Sequence, residues 1–292
     1  MNRPSDWIIS TFCRLCTGAT AAATLLLVGF LIVRGIGTLH TRLFFGETPW
    51  VQAVTGRQPI FEGIWPALCG TVLLVLLSAA VSIPIGTASG IYLSEYASRR
   101  TRSLLGFAVD VLAGTPSIVM GLFGFTLVLF LRRTLFPDAR TGLSVAALCI
   151  ALLILPYVIR TTQAALQAIP HSVRMIGPSL GFTRWQNVRH ILVPSASRGI
   201  LSGSILAIGR AAEDTAVILL TGAVARAGLP GSLWDKFEAL PFHIYYLAAE
   251  HRTSLELDQA FGTSLVLLCL TGTLFMTASF IRRRLERRWS TK

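Results

Sequence analysis

Charged residues are scarce in this chain of 292 residues. Only 14% of the residues are charged, whereas about 25% are charged in a typical soluble domain. Hydrophobic residues make up 53% of the sequence, so a globule of this composition would have too few polar side chains to cover its surface. The composition therefore excludes an ordinary soluble protein and predicts one that lies in a lipid bilayer.

Sequence motifs for nucleotide hydrolysis and zinc chemistry are also missing. The chain has neither an HExxH motif nor a Walker-type glycine loop, which are the local signatures of zinc proteases and of P-loop ATPases. We therefore expect a protein that is not an enzyme. If it moves a solute against a gradient, it must take the energy from another subunit.

Cysteine is too scarce and too scattered to form a framework of disulfides. The five cysteines are Cys13, Cys16, Cys69, Cys149 and Cys269, and they lie in or beside apolar stretches. Such cysteines usually behave as small hydrophobic residues. The lone C-x-x-C pair of Cys13 and Cys16 has no second pair or histidine cluster near it in the sequence. We expect this chain to bind no metal and no cofactor.

Long apolar runs are what the sequence has instead. Four runs without charges, at 63–93, 111–131, 141–159 and 259–281, reach or exceed the roughly 18–20 residues that a membrane helix needs. Two more, at 18–37 and 199–225, contain charged residues. The sequence thus predicts an all-α, polytopic membrane protein with six transmembrane helices. The first run is too long for a removable signal peptide and lacks a clear cleavage site, so we interpret it as a permanent anchor.

The positive charges lie mainly on one side of these spans. The net charge is +12, and with a cytoplasmic N-terminus the cations concentrate in cytoplasmic segments such as 99–102, 174–198 and the RRRLERR run at 282–288. This distribution follows the positive-inside rule, so the basic excess does not indicate a nucleic-acid partner. We predict a multi-pass protein of the cell inner (plasma) membrane, surrounded by lipid, with both termini in the cytoplasm.

The third span contains a break in its helical pattern. Gly114, Thr115, Pro116 and Ser117 interrupt an otherwise apolar stretch. We expect Thr115 to be the N-cap and Pro116 the first residue of a half-helix, whose positive end would suit an anion. Thr115 and Ser117 are then candidates for a substrate path. The alternative is a proline kink whose freed carbonyl group is satisfied by a serine or threonine.

The fifth span carries Arg210, Glu213 and Asp214 in its interior. A charge near the bilayer centre costs about 2.5–3.5 kcal/mol, so such residues usually face a partner or a water-filled path. In a continuous helix, both carboxylates would reach the guanidinium on one face. Two interpretations stay open: a structural ion pair, or an anion path lined by Arg210 and balanced by the acids when the path is empty.

Arg160, at the end of the fourth span, is a further candidate for the substrate path. The alternative is an interfacial arginine whose charged end extends to the aqueous boundary. Asp110 lies one turn before the break in the third span, and we expect it to cap a helix or to pair within the helical bundle.

A polar, arginine-rich stretch at 163–203 separates the fourth and fifth spans. Within it, Gly181 is followed after nine residues by Ile191, and then by Val193 and Pro194. This spacing is similar to that of the cytoplasmic coupling loop of ABC-transporter permeases. The pattern of that loop is Glu-Ala-Ala, three residues, Gly, nine residues, Ile, one residue and Leu-Pro.

Longer stretches make the resemblance more specific. They include GIYLSEYA at 90–97, LAGTPSIVMGLFGF at 112–125, LPYVIRTT at 155–162, IPHSVR at 169–174 and AIGRAAEDTAVILLTG at 207–222. From position 66 to the end of the sixth span, the chain resembles the permease subunits of Pst-type phosphate ABC importers, and the PstA-like subunit in particular.

The resemblance implies the type I ABC importer permease fold, also called MetI-like. It implies a heterodimer with a sister permease subunit, in which each permease lays a cytoplasmic helix into a groove on an ABC ATPase subunit. A phosphate-binding protein would dock on the outer, periplasmic or extracellular, side. ATP and magnesium would be used by the ATPase partner, and this chain would form part of the phosphate path.

The resemblance also implies roles for single residues. Arg210 matches the arginine in the family's Gly-Arg-Ala-x-Gly-Glu-Thr stretch. The residues of the coupling loop that are implied to dock the ATPase are Arg174, Gly181, Arg184, Arg189 and Pro194.

Three parts of the sequence depart from the family pattern. Met175, Ile176 and Gly177 replace Glu-Ala-Ala, Gln163 replaces a carboxylate in the preceding helix, and Glu213-Asp214 replaces Gly-Glu. These changes leave open which ATPase docks and which anion passes. The alternatives are a permease for molybdate, tungstate or sulfate, and a self-contained channel or secondary carrier.

The domain organisation that we predict has one membrane unit. Residues 1–65 form the N-terminal anchor helix and an outer linker, and 66–282 form the permease domain with its coupling loop at about 161–198. Residues 283–292 form a basic cytoplasmic tail.

Overall fold

A computed structural model of the protein describes residues 4–49 and 63–290. In these ranges the regular structure is helical apart from one isolated bridge between Ala223 and Phe237. The α-helices in chain order are α1 (Pro4–Gly35), α2 (Thr41–Phe45), α3 (Trp65–Ile91), α4 (Arg99–Ala113), α5 (Ser117–Thr134), α6 (Leu143–Gln167), α7 (His171–Arg174), α8 (Ile176–Ser179), α9 (Arg184–Asn187), α10 (Val193–Glu213), α11 (Ala216–Thr221), α12 (Leu240–Glu250) and α13 (Ser254–Ser290).

Six helical segments in this part of the chain are long and apolar enough to cross a membrane. They are Ile9–Thr38, Trp65–Tyr96, Ser117–Thr134, Leu143–Gln167, Arg184–Glu213 and Ser254–Phe280. The prediction of an all-α protein with six spans is therefore confirmed. Residues 50–62 of the predicted linker and the last two residues of the predicted tail lie outside the described residues.

The first and last helices are longer than the predicted spans. Helix α1 begins at Pro4, well before the apolar run at 18–37, and α13 continues through the basic run to Ser290. Arginine, leucine and glutamate have high helix propensity, so a change from apolar to charged residues does not by itself end a helix. The predicted boundary at 282/283 therefore lies inside a helix and is not a structural boundary.

The break in the third span divides it into two helices. Helix α4 ends at Ala113 and α5 begins at Ser117, so the predicted span at 111–131 was too long at its start. The N-cap of α5 is Pro116, not Thr115 as we predicted. The reason is that the Thr115 hydroxyl donates to the Val111 carbonyl of α4 at 3.0 Å, so it serves the preceding helix.

The fifth span is also discontinuous, which its sequence pattern did not predict. Helix α10 ends at Glu213, and Asp214 has an extended backbone with ψ of 119°. A separate short helix, α11, begins at Ala216. Among the described residues, two of the predicted spans are thus broken, the third before α5 and the fifth between α10 and α11.

Glycines let α3, α6 and α10 pack with their backbones close together. A Cβ atom on Gly86 of α3 would lie 2.7 Å from Val158 Cβ of α6, and one on Gly203 of α10 would lie 2.0 Å from Thr161 Oγ1. The α6 residues Ile150 and Ile154 are completely buried between these helices. Close approach through small residues is the usual way in which membrane helices gain packing energy, because lipid offers no hydrophobic driving force for association.

The loop between α11 and α12 folds back onto the ends of α3 and α6. The Leu143 N–H at the start of α6 donates to the Asp235 carbonyl at 3.0 Å, and Leu240 N–H donates to Thr71 Oγ1 of α3 at 2.9 Å. Glu238 is only 3% exposed and accepts a hydrogen bond from Gly228 N–H at 3.0 Å. Burial raises the pKa of this carboxyl group. The loop therefore closes this end of the bundle, which we call the closed face. We call the opposite end, which carries residues 92–103 and 168–192, the loop face.

Helix α1 packs against α13 at the edge of the bundle. The rings of Phe30 and Phe261 meet edge to face at 5.5 Å, and Arg34 Nη1 lies 3.6 Å from Asp258 Oδ1. Aromatic contacts of this kind stabilise by about 0.5–1.5 kcal/mol beyond area burial. The helix keeps most of its apolar surface exposed, as expected for an anchor that faces lipid.

The packing of α3 on α6 predicts a large effect of Gly86→Val. The added side chain would overlap Val158, and overpacking of this kind costs about 1–3 kcal/mol. We expect a lower melting temperature and less monodisperse protein in detergent. The matched control is Gly29→Val in α1, where an added Cβ has no neighbour within 4 Å. Equal melting temperatures for the two variants would contradict this account of the packing.

Candidate functional site

An open cleft lies where the two breaks meet. Its volume is about 610 Å³, and its lining includes Ser117 of α5, Arg210 and Glu213 of α10, and Asp214 and Thr215 of the connection to α11. Four of the six residues predicted for the substrate path therefore surround one cleft. The two helix breaks bring them together, because each break places a helix end at the same level of the bundle.

Arg210 extends into the cleft without a carboxylate partner among the described residues. Its guanidinium carbon lies 5.5 Å from the centre of the Tyr157 ring, within the range of a cation–π contact. The predicted ion pairs with Glu213 and Asp214 are absent from the described part of the chain, where no carboxylate oxygen lies within 4.0 Å of Arg210. The expected pair with Asp214 was wrong because it assumed a helix that continues past Glu213. Glu213 itself lies within α10 at the expected spacing, but it is exposed and makes no ion pair with Arg210.

Asp214 has a different structural role from the one predicted. Its Oδ1 accepts a hydrogen bond from Val217 N–H, in the first turn of α11, at 2.9 Å. Carboxylates are favoured at this position because the first N–H groups of a helix have no partner within the helix. Glu213 is exposed at the end of α10. One acid is thus used for capping and the other faces the open cleft.

The N-terminus of α5 provides a second positive feature beside Arg210. Ser117 is the first residue of this 18-residue helix and lines the cleft. The Pro116 carbonyl accepts from Val119 N–H at 3.0 Å, whereas Pro116 itself has no N–H to offer. The free N–H groups and the dipole of the first turn favour an anion at such a helix end. An arginine and a helix N-terminus therefore line the same cleft.

Arg160 and Thr115 do not line this cleft. Arg160 instead joins α6 to α4: its Nε donates to Asp110 Oδ1 at 2.9 Å, and its Nη2 donates to the Gly106 carbonyl at 2.7 Å. Its Nη1 donates to Gln163 Oε1 at 2.9 Å. The expectation that Asp110 pairs within the bundle is confirmed. Arg160 therefore connects α6 to α4 and is not part of the cleft lining.

The contact with Arg160 explains why position 163 carries a glutamine and not a carboxylate. Its side chain is buried, at 7% exposure, and its amide oxygen accepts one hydrogen bond from the guanidinium. Arg160 already pairs with Asp110, so a second carboxylate here would be a buried negative charge without its own cation. The neutral amide keeps the hydrogen bond and avoids that charge.

The segment with coupling-loop spacing forms a chain of short helical turns at the loop face. Gly181 has φ of +75°, a conformation that glycine adopts without strain, and separates α8 from α9. Helix α9 begins with a capping box: Thr183 Oγ1 accepts from Gln186 N–H, and Gln186 Oε1 accepts from Thr183 N–H at 2.8 Å. Pro194 lies in the first turn of α10, where a proline is tolerated.

The predicted docking residues differ in accessibility. Arg184, Arg189 and Gly181 are exposed, whereas Arg174 is half-buried and pairs with Glu95 at 3.0 Å. A group of apolar side chains on the same segment is exposed, comprising Met175, Ile176, Leu180, Phe182 and Trp185. The sequence pattern pointed to the arginines, but the exposed surface is mainly apolar with arginines beside it. We call these five apolar residues the docking surface.

Gly177 shows why an alanine of the family pattern is replaced here. A Cβ atom at this position would lie 2.3 Å from Asn187 Oδ1. Asn187 Nδ2 donates to the Arg174 carbonyl at 3.2 Å, so the asparagine holds the two halves of the segment together. The sequence reasoning missed Asn187, because a contact between residues ten positions apart in a loop leaves no periodic signal.

Residues 177–181 also happen to spell GxSxG, the consensus of a nucleophile elbow. In hydrolases this motif forms a sharp turn between a strand and a helix. Here Ser179 ends the short helix α8, and its hydroxyl donates to the Met175 carbonyl at 2.8 Å. The local structure therefore gives this serine no nucleophilic role.

The contact at Gly177 predicts that Gly177→Ala loosens the loop. The added methyl group would force Asn187 away and break its hydrogen bond to Arg174. We expect faster trypsin cleavage at Arg184 and Arg189 in the variant, measured on purified protein in detergent. Asn187→Ser, which also removes this hydrogen bond, should speed the cleavage in the same way. Unchanged cleavage in Gly177→Ala would contradict this account.

Comparisons with known proteins agree with this geometry. The model of the family described as "Binding-protein-dependent transport system inner membrane component" matches residues 82–291. The chain is 28% identical to the probable ABC transporter permease protein YqgI of Bacillus subtilis, over 84% of this chain and 80% of that protein. It is 31% identical to the phosphate transport system permease protein PstA 1 of Mycobacterium tuberculosis, over 80% of this chain and 74% of that protein.

A solved structure supports the same fold. A permease chain in the crystal structure of a bacterial alginate ABC transporter, in complex with an alginate pentasaccharide-bound periplasmic protein, superposes with a TM-score of 0.66. The alignment covers 98% of this chain and 99% of that one at 14% sequence identity, so it shows the fold alone. The resemblance to phosphate permeases and the type I importer fold are thus confirmed. The chain belongs to the family of binding-protein-dependent transport system inner membrane components and has the MetI-like fold of an ABC importer permease.

Proposed function

We propose that this chain is the permease subunit of an ATP-driven phosphate importer. The observation that carries the proposal is the cleft in which Arg210 and the N-terminus of α5 meet, in a chain that is 31% identical to a PstA phosphate permease. The chain would form the translocation path with a sister permease. It would bind no cofactor itself, and ATP and magnesium would be used by a separate ATPase subunit.

The charges around the cleft favour a tetrahedral oxyanion. Arg210 is a cation held over a neutral aromatic ring, so an incoming anion does not first have to displace a carboxylate from it. The Ser117 hydroxyl and the first N–H groups of α5 can donate hydrogen bonds to the same anion. The Glu213 carboxylate can accept a hydrogen bond from an anion that is still protonated, and phosphate is still protonated at neutral pH. This last feature distinguishes phosphate from sulfate, molybdate and tungstate.

The sister permease is supported by the exposure of Arg210 itself. A charged side chain at membrane depth needs water or protein beside it, and in this chain the cleft is open on that side. Apolar side chains on α4 and α5 are also exposed around the break, among them Phe107, Val111 and Ile118. A second permease subunit against this surface would cover the apolar residues and close the anion path.

The ATPase partner is supported by the docking surface. Five exposed apolar residues on the loop face would be unusual in contact with water, and a groove on an ATPase subunit would bury them. The exposed Arg184 and Arg189 lie beside this surface and can pair with acidic groups at the rim of such a groove. The self-contained channel or carrier offers no reason for an apolar surface at this place.

The orientation in the membrane follows from the charges. The loop face carries the arginine-rich segments, and the positive-inside rule assigns it to the cytoplasm together with both termini. The closed face, with the folded loop between α11 and α12, is then outside. A phosphate-binding protein in the periplasm or outside the cell would deliver the anion there.

Uptake of radiolabelled phosphate tests the role of Arg210. We expect Arg210→Ala to reduce phosphate uptake by the complete complex about tenfold or more, because hydrogen bonds to charged groups contribute about 1.5–3 kcal/mol. Arg210→Lys should retain part of the uptake. Arg133→Ala, at an exposed arginine beyond the cleft, is the matched control. Normal uptake by Arg210→Ala would contradict the proposal, and uptake of another oxyanion alone would replace phosphate as the substrate.

Copurification of the ATPase tests the docking surface. Trp185→Asp places a charge on this surface, and buried aromatic residues of interfaces often contribute about 2 kcal/mol or more. We expect the variant to retain less than a tenth of the ATPase that the unmodified chain retains on an affinity column. Trp234→Asp is the control, since Trp234 is similarly exposed, at 66% against 59%, but lies on the closed face. Equal retention by the two variants would show that the ATPase binds elsewhere.

A further inference from the structure

Residues 168–192 at the loop face form what we call the coupling segment. An ion pair connects this segment to the membrane helices. Arg174 Nη1 donates to both carboxylate oxygens of Glu95 at 3.0 Å. The side chains are only 25% and 11% exposed, so water screens this pair less than a surface pair. The same guanidinium donates to the Leu166 carbonyl near the end of α6. Arg174 therefore holds groups from two different spans.

Glu95 is itself fixed by its surroundings. It lies in the Tyr92–Tyr96 turn, which directly follows α3. Arg102 of α4 donates from Nε to the Leu93 carbonyl at 2.7 Å and from Nη2 to the Ser94 carbonyl at 2.8 Å. Ser94 Oγ donates to Glu95 Oε1 at 2.7 Å. The carboxylate that binds Arg174 thus belongs to a turn that is hydrogen-bonded to α4.

The second half of the coupling segment also contacts Arg174. Asn187 Nδ2 donates to the backbone carbonyl of Arg174 at 3.2 Å. As a result, the turn after α3, the end of α6 and both halves of the coupling segment contact Arg174 or its partner Glu95, and Arg102 joins α4 to that same turn. These contacts join elements that lie far apart in the sequence, as the separation of 79 residues between Glu95 and Arg174 shows.

We propose that Glu95 and Arg174 are positioning residues that transmit movement of the docked coupling segment to α3 and α4. The proposal rests on the proposed function, because the movement comes from the ATPase. The guanidinium contacts both Glu95 oxygens through Nη1 and the Leu166 carbonyl through Nη2, and several charge-assisted hydrogen bonds hold a geometry more firmly than one. If the pair is broken, the segment can move with the ATPase while α3 and α4 stay in place. ATP is then hydrolysed without opening the anion path.

The test compares transport with ATP hydrolysis in proteoliposomes that contain the complete complex. The variants are Glu95→Gln, Arg174→Met and the two combined, with Arg100→Gln, an exposed arginine at the start of α4, as the control. We expect the ATPase to copurify with all of them. The number of phosphate ions transported per ATP should fall about five-fold or more in each single variant, within the range reported for coupling residues. The double variant should be no worse than either single one, because both changes remove the same link.

Two outcomes would overturn the inference. One is a normal ratio of transport to hydrolysis in Glu95→Gln and Arg174→Met. The other is loss of the ATPase from Glu95→Gln but not from Arg100→Gln, which would make the pair part of the docking interface alone.

A second measurement separates this inference from the proposed function. Spin labels on Ser103→Cys of α4 and Ser179→Cys of α8 report the distance between α4 and the coupling segment, in the full chain with its five native cysteines replaced and inserted in nanodiscs. We expect a narrow distance distribution that becomes broad with Glu95→Gln. Equal widths would refute the link even if phosphate is transported. Failure of the unmodified complex to transport phosphate would instead refute the proposed function, and the label distances would still test the link.

Discussion

The architecture depends on one constraint: backbone N–H and C=O groups within a bilayer must be satisfied inside the protein or face a water-filled cavity. In the described part of the chain, two of the predicted spans depart from continuous helix, the third before Ser117 and the fifth after Glu213. Both departures border the same cleft. The breaks therefore create a polar site in an apolar bundle, and the tight glycine contacts between α3, α6 and α10 hold the helices around it.

In the proposed path Arg210 is open to an anion because neither neighbouring acid pairs with it in the described part of the chain. Asp214 caps α11, and Glu213 lies exposed without an ion pair to Arg210 in the described part of the chain. The Tyr157 ring supports the guanidinium without neutralising it. For Arg160 and Arg174 the opposite holds, because each is paired with a carboxylate. The same residue type is thus a structural connector in two places and, in the proposed path, a cation open to an anion.

The sequence predicted features that depend on local composition. The number and approximate positions of the spans followed from apolar runs, the break before α5 from Gly114 and Pro116, and the coupling segment from the spacing of Gly181 and Pro194. Features that depend on tertiary structure were not predictable in this way. The capping role of Asp214 requires knowledge that α10 stops at Glu213, and helical spacing alone favoured the wrong partner. The Glu95–Arg174 pair joins two segments 79 residues apart, which no periodicity reveals.

The central claim is that the cleft between the two helix breaks is the path of an anion. The most direct test is modification of Ser117→Cys in the assembled transporter, after replacement of the native cysteines, with thiol reagents of opposite charge. The account predicts that the anionic reagent reacts faster than a cationic one of the same size, and that phosphate slows the reaction. Equal rates for the two reagents, with no protection by phosphate, would contradict it.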